Sequence, residues 1–293
     1  MRDSVIYLTD KGNYLMNNEF PSEEITSINE FLDKIKAISE QWHDDCAAVI
    51  PWFRGSQKSN YKPVPSVFRD NGYDEFWMNM EFKNKAQTFG VNTPDFERVD
   101  LWLFMMQHLG LPTRLLDWTE SPLIALYFAL RDSLKNADDE FPAVWAIHPF
   151  KLNEFSIKKW VLPASGDRSQ LGISYSQMAF FQFQNDESKR CFICGHGNDE
   201  NLLTYPVAFQ TSYVHPRMQA QKSVFTIHGF DRRNFEDIFI ETKLVEEGYF
   251  KKIIIKDDFK KILLEIKHLG IDESVILPDL EGLARELKSK YKK

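Results

Sequence analysis

The sequence predicts an α+β fold, with a helical N-terminal half packed on a mostly antiparallel sheet. Helical periodicity fills the first half of the chain and strand-like runs dominate the second. Helix and strand nowhere alternate strictly, as a parallel βαβ array would demand. No segment repeats at a period of about 20 to 50 residues, which excludes solenoids and propellers. No Gly/Ser-rich or Pro-rich linker divides the chain. Residues 1–293 therefore read as a single domain, with core motifs over 40–230 and a C-terminal strand and helices over 249–290.

The elements follow in order. SVIYLTD reads as a short strand. SEEITSINEFLDKIKAISEQW is expected to be helical, because Ile28, Phe31, Leu32, Ile35 and Ile38 recur at spacings of three and four and form one apolar stripe. AAVIPWFRG reads as a strand ending at Gly55. DEFWMNMEFKNKAQTFG is a second helix, closed by Gly90. Thr93 is expected to cap the next helix, with Pro94 in its first turn and Asp95 and Glu97 at the positive end of its dipole. That helix runs through FERVDLWLFMMQHL and stops at Gly110. Ser121 and Pro122 repeat the cap-and-proline start for LIALYFALRDSLKN, which is apolar on nearly every side until Arg131 and so belongs at the centre of the fold. FPAVWAIHPF, LLTYPVAFQ, KSVFTIHG and YFKKIIIK are strand-like runs punctuated by turns. DDFKKILLEIKHLG carries Phe259, Ile262, Leu263, Ile266 and Leu269 at helical spacing, and LEGLARELKSK closes the chain as a last helix.

Composition narrows the function. With 43% hydrophobic and 14% aromatic residues the chain can bury a sizeable core. Its 36 basic and 43 acidic residues leave a formal charge of -7, which argues against bulk nucleic-acid binding and against attachment to an anionic membrane. No run reaches the ~18 uninterrupted apolar residues of a membrane span. The start, MRDSVIYLTDKG, lacks the layout of a signal peptide, so a cytoplasmic protein is expected. Cys46, Cys191 and Cys194 form no even disulfide framework, in keeping with a reducing compartment. CFICGH places Cys191, Cys194 and His196 at metal-like spacing. A zinc site needs four ligands and there is no second knuckle, so no metal is expected and the thiols read as half-buried neighbours of a turn.

Hydrophobicity does not explain QHLGLPTRLLDW, residues 107–118. Gln107 and His108 fall in the last turn of one helix, GLPTRLLDWTE reads as a loop, and Ser121 starts the next helix. Buried polar atoms without partners cost ~1–3 kcal/mol each, so Gln107, His108, Thr113, Arg114 and Asp117 must answer one another or a ligand. In the plain structural reading Arg114 pairs with Asp117, His108 bonds a helix-end carbonyl, and Thr119 and Ser121 are caps. So many polar groups in one loop exceed what support requires, and a pocket rim is expected. WFRG is the second focus. Arg54 ends an apolar strand, Gly55 permits a close backbone approach, and a guanidinium presents a planar fork of donors suited to phosphate or carboxylate. The alternative is a pairing of Arg54 with a buried acid such as Asp117. The third focus is VHPRMQAQKSVFTIHG, where strand geometry would put Arg217, Gln219 and Gln221 on one face. An amphipathic surface strand is the alternative there.

WFRG, QHLGLPTRLLDWTESPLIALYFA and HPRMQAQKSVF resemble the three blocks of the FRG domain, a bacterial and phage family named for its Phe-Arg-Gly motif, and ILPDLEGLARELK resembles that family's ending. The resemblance spans roughly residues 40 to 288. Two positions depart from the family pattern: Ser56 stands where Gln usually follows Phe-Arg-Gly, and Lys222 and Ser223 stand where Gly often follows the glutamine. At fold level the arrangement is similar to the Arg–Ser–Glu class of ADP-ribosyltransferases. That similarity implies that Arg54 holds NAD phosphate or ribose and that Thr119 with Ser121 orients the nicotinamide half. The late acid's place falls to Gln219 or Gln221, which can orient a hydroxyl but offer no negative charge against a developing cation.

Three functions are therefore expected from these residues. The first is an NAD-using ADP-ribosyltransferase or NAD glycohydrolase, an effector of toxin or anti-phage type with a macromolecular target. Its catalytic residues would be Arg54, His108, Thr119, Ser121 and Gln221, and its nucleotide-binding residues Arg54, Gly55, Gln107, Thr113, Arg114, Asp117, Arg217 and Gln219. The second is a module that binds a nucleotide-like small molecule without turnover. The third is a metal-assisted nuclease using His108, Asp117 and a distant acid such as Glu81. There is no phosphate-binding P-loop, dinucleotide fingerprint, nucleophile elbow or H-E-x-x-H motif.

Overall fold

Seven strands form one sheet: β1 (Ser22–Ile25), β2 (Trp52–Ser56), β3 (Leu115–Thr119), β4 (Ala143–Ile147), β5 (Val207–Phe209), β6 (Ser223–Ile227) and β7 (Phe250–Ile255). Their spatial order is β1-β7-β4-β2-β3-β6-β5. Every pairing is antiparallel except that of β1 with β7. The computed structural model describes residues 20–43, 49–69, 73–131 except 91 and 97, 140–164, 204–210, 213, and 215–291 except 230, 241 and 258. SVIYLTD, Cys46, Cys191, Cys194 and His196 lie outside the described residues.

The helices are α1 (Ile28–Gln41), α2 (Glu75–Ala86), α3 (Val99–His108), α4 (Pro122–Leu130), α5 (Pro149–Ile157), α6 (Pro216–Ala220), α7 (Phe235–Phe239), α8 (Lys243–Glu246), α9 (Phe259–His268), α10 (Glu273–Ile276) and α11 (Leu280–Lys290). Helices thus cover a mostly antiparallel sheet, the α+β architecture expected. None of the described helices is long and apolar enough to cross a membrane.

Strand alternation sorts the core into two faces. Phe53, Val144 and Ala146 pack with Phe31, Ile38, Ala125 and Ala129 of α1 and α4, while Leu115 and Phe225 pack with Leu103 and Phe104 of α3. Trp52, Trp118, Trp145 and Val224 point to the opposite face and pack with Leu152, Phe235 and Phe239. Gly55 fixes how α4 sits on the first face. A Cβ there would lie 2.0 Å from the Ala125 carbonyl oxygen and 2.6 Å from the Ala129 nitrogen, both backbone atoms that cannot step aside. The close approach expected at Gly55 is made by a helix.

The sheet is not equally knit throughout. β2 runs beside β4 through five register pairs, Trp52↔Ile147 to Ser56↔Ala143. β3 runs beside β6 through five more, Leu115↔Ile227 to Thr119↔Ser223. β2 and β3 meet only at Phe53↔Thr119. One pair therefore joins two halves of the sheet, and the strands part on either side of it.

Four expectations need correction. Ser22–Ile25 is a strand, because it pairs with Lys252–Ile255 and the helix starts only at Ser27, whose Oγ accepts from the Glu30 N–H at 3.3 Å. Glu30 Oε2 in turn accepts from the Thr26 N–H at 2.7 Å, one residue before the cap, and helps to fix this boundary. α3 starts at Val99 rather than at Thr93, since the Asp95 carbonyl accepts from the Arg98 N–H at 2.9 Å and from Trp102 Nε1 at 3.1 Å in a turn of its own. Leu115–Thr119 is a central strand, not a loop. Residues 216–220 are a short helix, capped by His215 Nδ1 accepting from the Arg217 N–H at 3.1 Å, so Arg217, Gln219 and Gln221 do not share a strand face.

Candidate functional site

Where β2 and β3 part, the face carrying α3 and α4 opens into a cleft of about 590 Å³. β2 supplies Phe53, Arg54 and Gly55, with Gln57 following, and β3 supplies Asp117, Trp118 and Thr119. α3 contributes Phe104, Gln107 and His108, while Ala125, Phe128 and Arg131 come from α4 and its C-cap. Arg217, Met218, Gln221, Ser223 and Phe225 complete the far side, and Leu277 and Arg285 reach in from the C-terminal segment. Three blocks far apart in sequence thus converge on one hollow.

Arg54 crosses the seam. Its Nη1 donates to the Asp117 carbonyl at 2.5 Å, and the nearest carboxylate oxygen, Asp117 Oδ2, stands 4.0 Å away. The side chain is 21% exposed and that of Asp117 58% exposed. Burial pushes the guanidinium down to about 10, with Asp117 pulling it up and Arg69 adding to the fall, so it is a cation at neutral pH. Gln107 Nε2 donates to Asp117 Oδ1 at 2.6 Å, and Thr113 Oγ1 donates to Gln107 Oε1, which fixes which way the amide points. Thr113 is itself held by its N–H donating to Ser66 Oγ at 3.1 Å.

The other arginines of the cleft are answered. Arg217 meets Asp279 at 2.5 Å and Glu281 at 3.0 Å. Arg285 meets Glu281 at 2.5 Å, and both Arg285 and Arg131 lie within 4 Å of Glu273, at 3.7 Å and 3.8 Å. These carboxylates belong to α10, α11 and the turn between them, so the C-terminal segment braces that wall. His108 lies against His215 with ring centroids 4.0 Å apart. Burial first, then His215 and Arg217, push its imidazole down, which keeps it neutral at pH 7. Thr119 Oγ1 donates to the Gln221 carbonyl at 2.6 Å and accepts from the Ser121 N–H at 3.0 Å. Gln221 Nε2 donates to the Ile276 carbonyl at 3.2 Å.

Residues 50–138 match the family model of the FRG domain, and that segment holds β2, β3, α2, α3 and α4. The similarity to the FRG domain thus covers residues 50–138. No curated protein and no solved structure matches the chain at a significant level. The Phe-Arg-Gly triad of this segment divides its labour by strand alternation. Phe53 is core, Arg54 crosses the seam and Gly55 seats α4. After the triad, Ser56 Oγ donates to the Lys58 carbonyl at 2.8 Å. Lys222 has φ 46, a left-handed conformation that costs a lysine strain and glycine none.

Of the expected site residues, Arg54, Gly55, Gln107, His108, Asp117, Thr119, Arg217 and Gln221 line the cleft. Four others do not. Arg114 is 2% exposed and follows the parity of Leu116 and Trp118, away from the cleft. Its Nε and Nη2 grip Glu75 at 3.1 Å and 3.0 Å, and its Nη1 donates to the His228 carbonyl at 2.8 Å. Arg114 therefore does not pair with Asp117. Thr113 is buried behind Gln107. Ser121 is a helix cap, its Oγ accepting from the Ile124 N–H at 3.4 Å, and Gln219 points to solvent from α6. Glu81 stands on the exposed side of α2, paired with Lys85, and does not approach His108 or Asp117 in the cleft. Sequence reading missed Gln57, Arg131 and Arg285. Arg131 carried a signal, as the first charge after an otherwise apolar helix; Arg285 carried none.

Proposed function

We propose that the cleft between the two halves of the sheet binds a phosphate-bearing nucleotide and cuts the nicotinamide–ribose bond of NAD, passing ADP-ribose to water or to a macromolecular target. The supporting observation is Arg54, an enclosed guanidinium that is cationic at neutral pH and, among the described residues, makes one hydrogen bond, to a carbonyl. An enclosed cation whose nearest carboxylate oxygen stands 4.0 Å away is only partly compensated, and a phosphate would complete the compensation. The volume of about 590 Å³ is of the size that encloses a cofactor-sized ligand. Phe104, Phe128 and Phe225 give it apolar walls for flat rings. A cytoplasmic enzyme of this kind would deplete or divert NAD, the action of a toxin or anti-phage effector.

The test is incubation of the purified chain with NAD and chromatographic detection of nicotinamide and ADP-ribose. Wild type is expected to release both, and Arg54→Ala to lose most of that release. No release by wild type would contradict the reading. One observation favours a second reading, a binding module without turnover: the third block offers amides, not an acid, and the Gln221 amide is committed to the Ile276 carbonyl. That reading expects ADP-ribose to raise the unfolding temperature, as RT ln(1 + [L]/Kd) requires, with no nicotinamide formed.

A further inference from the structure

We infer that Asp117 is the catalytic carboxylate of the cleft, holding negative charge against the ribosyl cation and taking the proton of the incoming nucleophile. The inference rests on the NAD reading above and supplies the acid that the third block lacks. Among the described residues that line the cleft, Asp117 is the only carboxylate. Its Oδ1 is fixed by the Gln107 amide at 2.6 Å, and that amide is oriented in turn by Thr113. Its side chain remains 58% exposed, with Oδ2 4.0 Å from Arg54 Nη1. A carboxylate held at one oxygen and open at the other is suited to meet a charge that develops only during reaction.

Bracing Arg54 does not account for this carboxylate. The hydrogen bond from Arg54 goes to the Asp117 backbone carbonyl, which any residue at this position would supply. The cation and the anion stand on the two strands that flank the cleft, with Arg54 Nη1 4.0 Å from Asp117 Oδ2. A ligand with phosphate on Arg54 would thus bring the neighbouring ribose to Asp117. Neither glutamine of the third block can take the part, since Gln219 faces solvent and Gln221 is tied to Ile276.

The step balances as follows. The bond from the ribose anomeric carbon to the pyridinium nitrogen breaks heterolytically, and its electron pair leaves with the nitrogen, so nicotinamide departs neutral. The positive charge passes to the ribosyl ring beside the Asp117 carboxylate. Water, or a hydroxyl of the target, bonds to the anomeric carbon and gives its proton to Asp117, which returns it to solvent. With water, the products are nicotinamide, ADP-ribose and one proton.

Asp117→Asn tests the inference, because it keeps the backbone carbonyl that holds Arg54 and removes only the charge. Nicotinamide release and the Kd for ADP-ribose are measured on wild type and variant. The expected result is a kcat lower by at least about a hundredfold with the ADP-ribose Kd within about threefold of wild type, which also shows that the variant cleft is folded. Release by wild type and by Asp117→Asn at equal rates would overturn the role of Asp117 and leave the NAD reading standing. A kcat preserved while Kd weakens would likewise overturn it, making Asp117 a binding group. No release by wild type would overturn both.

Discussion

Arg54 and Arg114 are both enclosed guanidiniums, one on each side of the sheet's weak seam, and the molecule treats them differently. Arg114 is gripped at two nitrogens by Glu75 and at a third by the His228 and Gly229 carbonyls. Arg54 has a carbonyl and, at 4.0 Å, an exposed acid. Burial pushes both down, to about 9 and about 10, yet both remain cations at neutral pH. A scaffold arginine is answered inside the fold. An arginine left with a partial answer beside a hollow can serve a guest.

The largest expected effect breaks the comparison directly. Arg114→Met would strand the Glu75 carboxylate in the interior and cost ~3–5 kcal/mol, whereas Arg54→Met removes a poorly compensated cation and should shift stability by less than ~1 kcal/mol. Urea unfolding of both variants measures the difference. Equal costs would make Arg54 scaffolding. Next comes Gly55→Ala, which forces α4 away from β2 and should cost ~1–3 kcal/mol or more; an unchanged urea midpoint would show that the helix can yield. The third prediction sharpens the scaffold side. His228 is fully buried between the Phe68 and Phe235 rings, and burial, aided by Arg114, pushes its imidazole down to about 3. Because the folded value lies below the unfolded value of 6.5, this residue's contribution is fully present above pH 6.5 and is lost as pH falls from there toward 3. The loss should reach about 2 kcal/mol by pH 5. His228→Leu is expected to remove that loss, read as the stability difference between pH 8 and pH 5 in the two proteins. An identical difference would place the acid sensitivity elsewhere.

Much of the fold was legible because its elements carry unbroken periodicity. LIALYFAL and YFKKIIIK could hardly be misread, and Gly90 closes its helix region in a left-handed conformation at φ 66. β3 is hidden by its polar residues. Arg114 and Asp117 interrupt the apolar run, so a strand with Leu116 and Trp118 on one face and a cleft residue on the other looked like a polar loop. The same hidden register separates Arg114 from Asp117: in a strand the two point to opposite faces. α6 escaped notice because five residues show too little periodicity to separate helix from strand. Within the site, Arg54, Gln107, His108, Asp117, Thr119, Arg217 and Gln221 were identifiable as polar groups out of place in apolar surroundings. Arg285 was not, since its position depends on how the C-terminal helices close over the wall, a tertiary fact that α11 alone does not encode.

The central claim is that Arg54 is held in readiness for a phosphate. Calorimetric titration of ADP-ribose into wild type and into Arg54→Met tests it most directly. Wild type should bind, and the variant should bind at least about thirtyfold more weakly, a loss of about 2 kcal/mol, while unfolding at the wild-type urea concentration. The same Kd for both proteins would contradict the account.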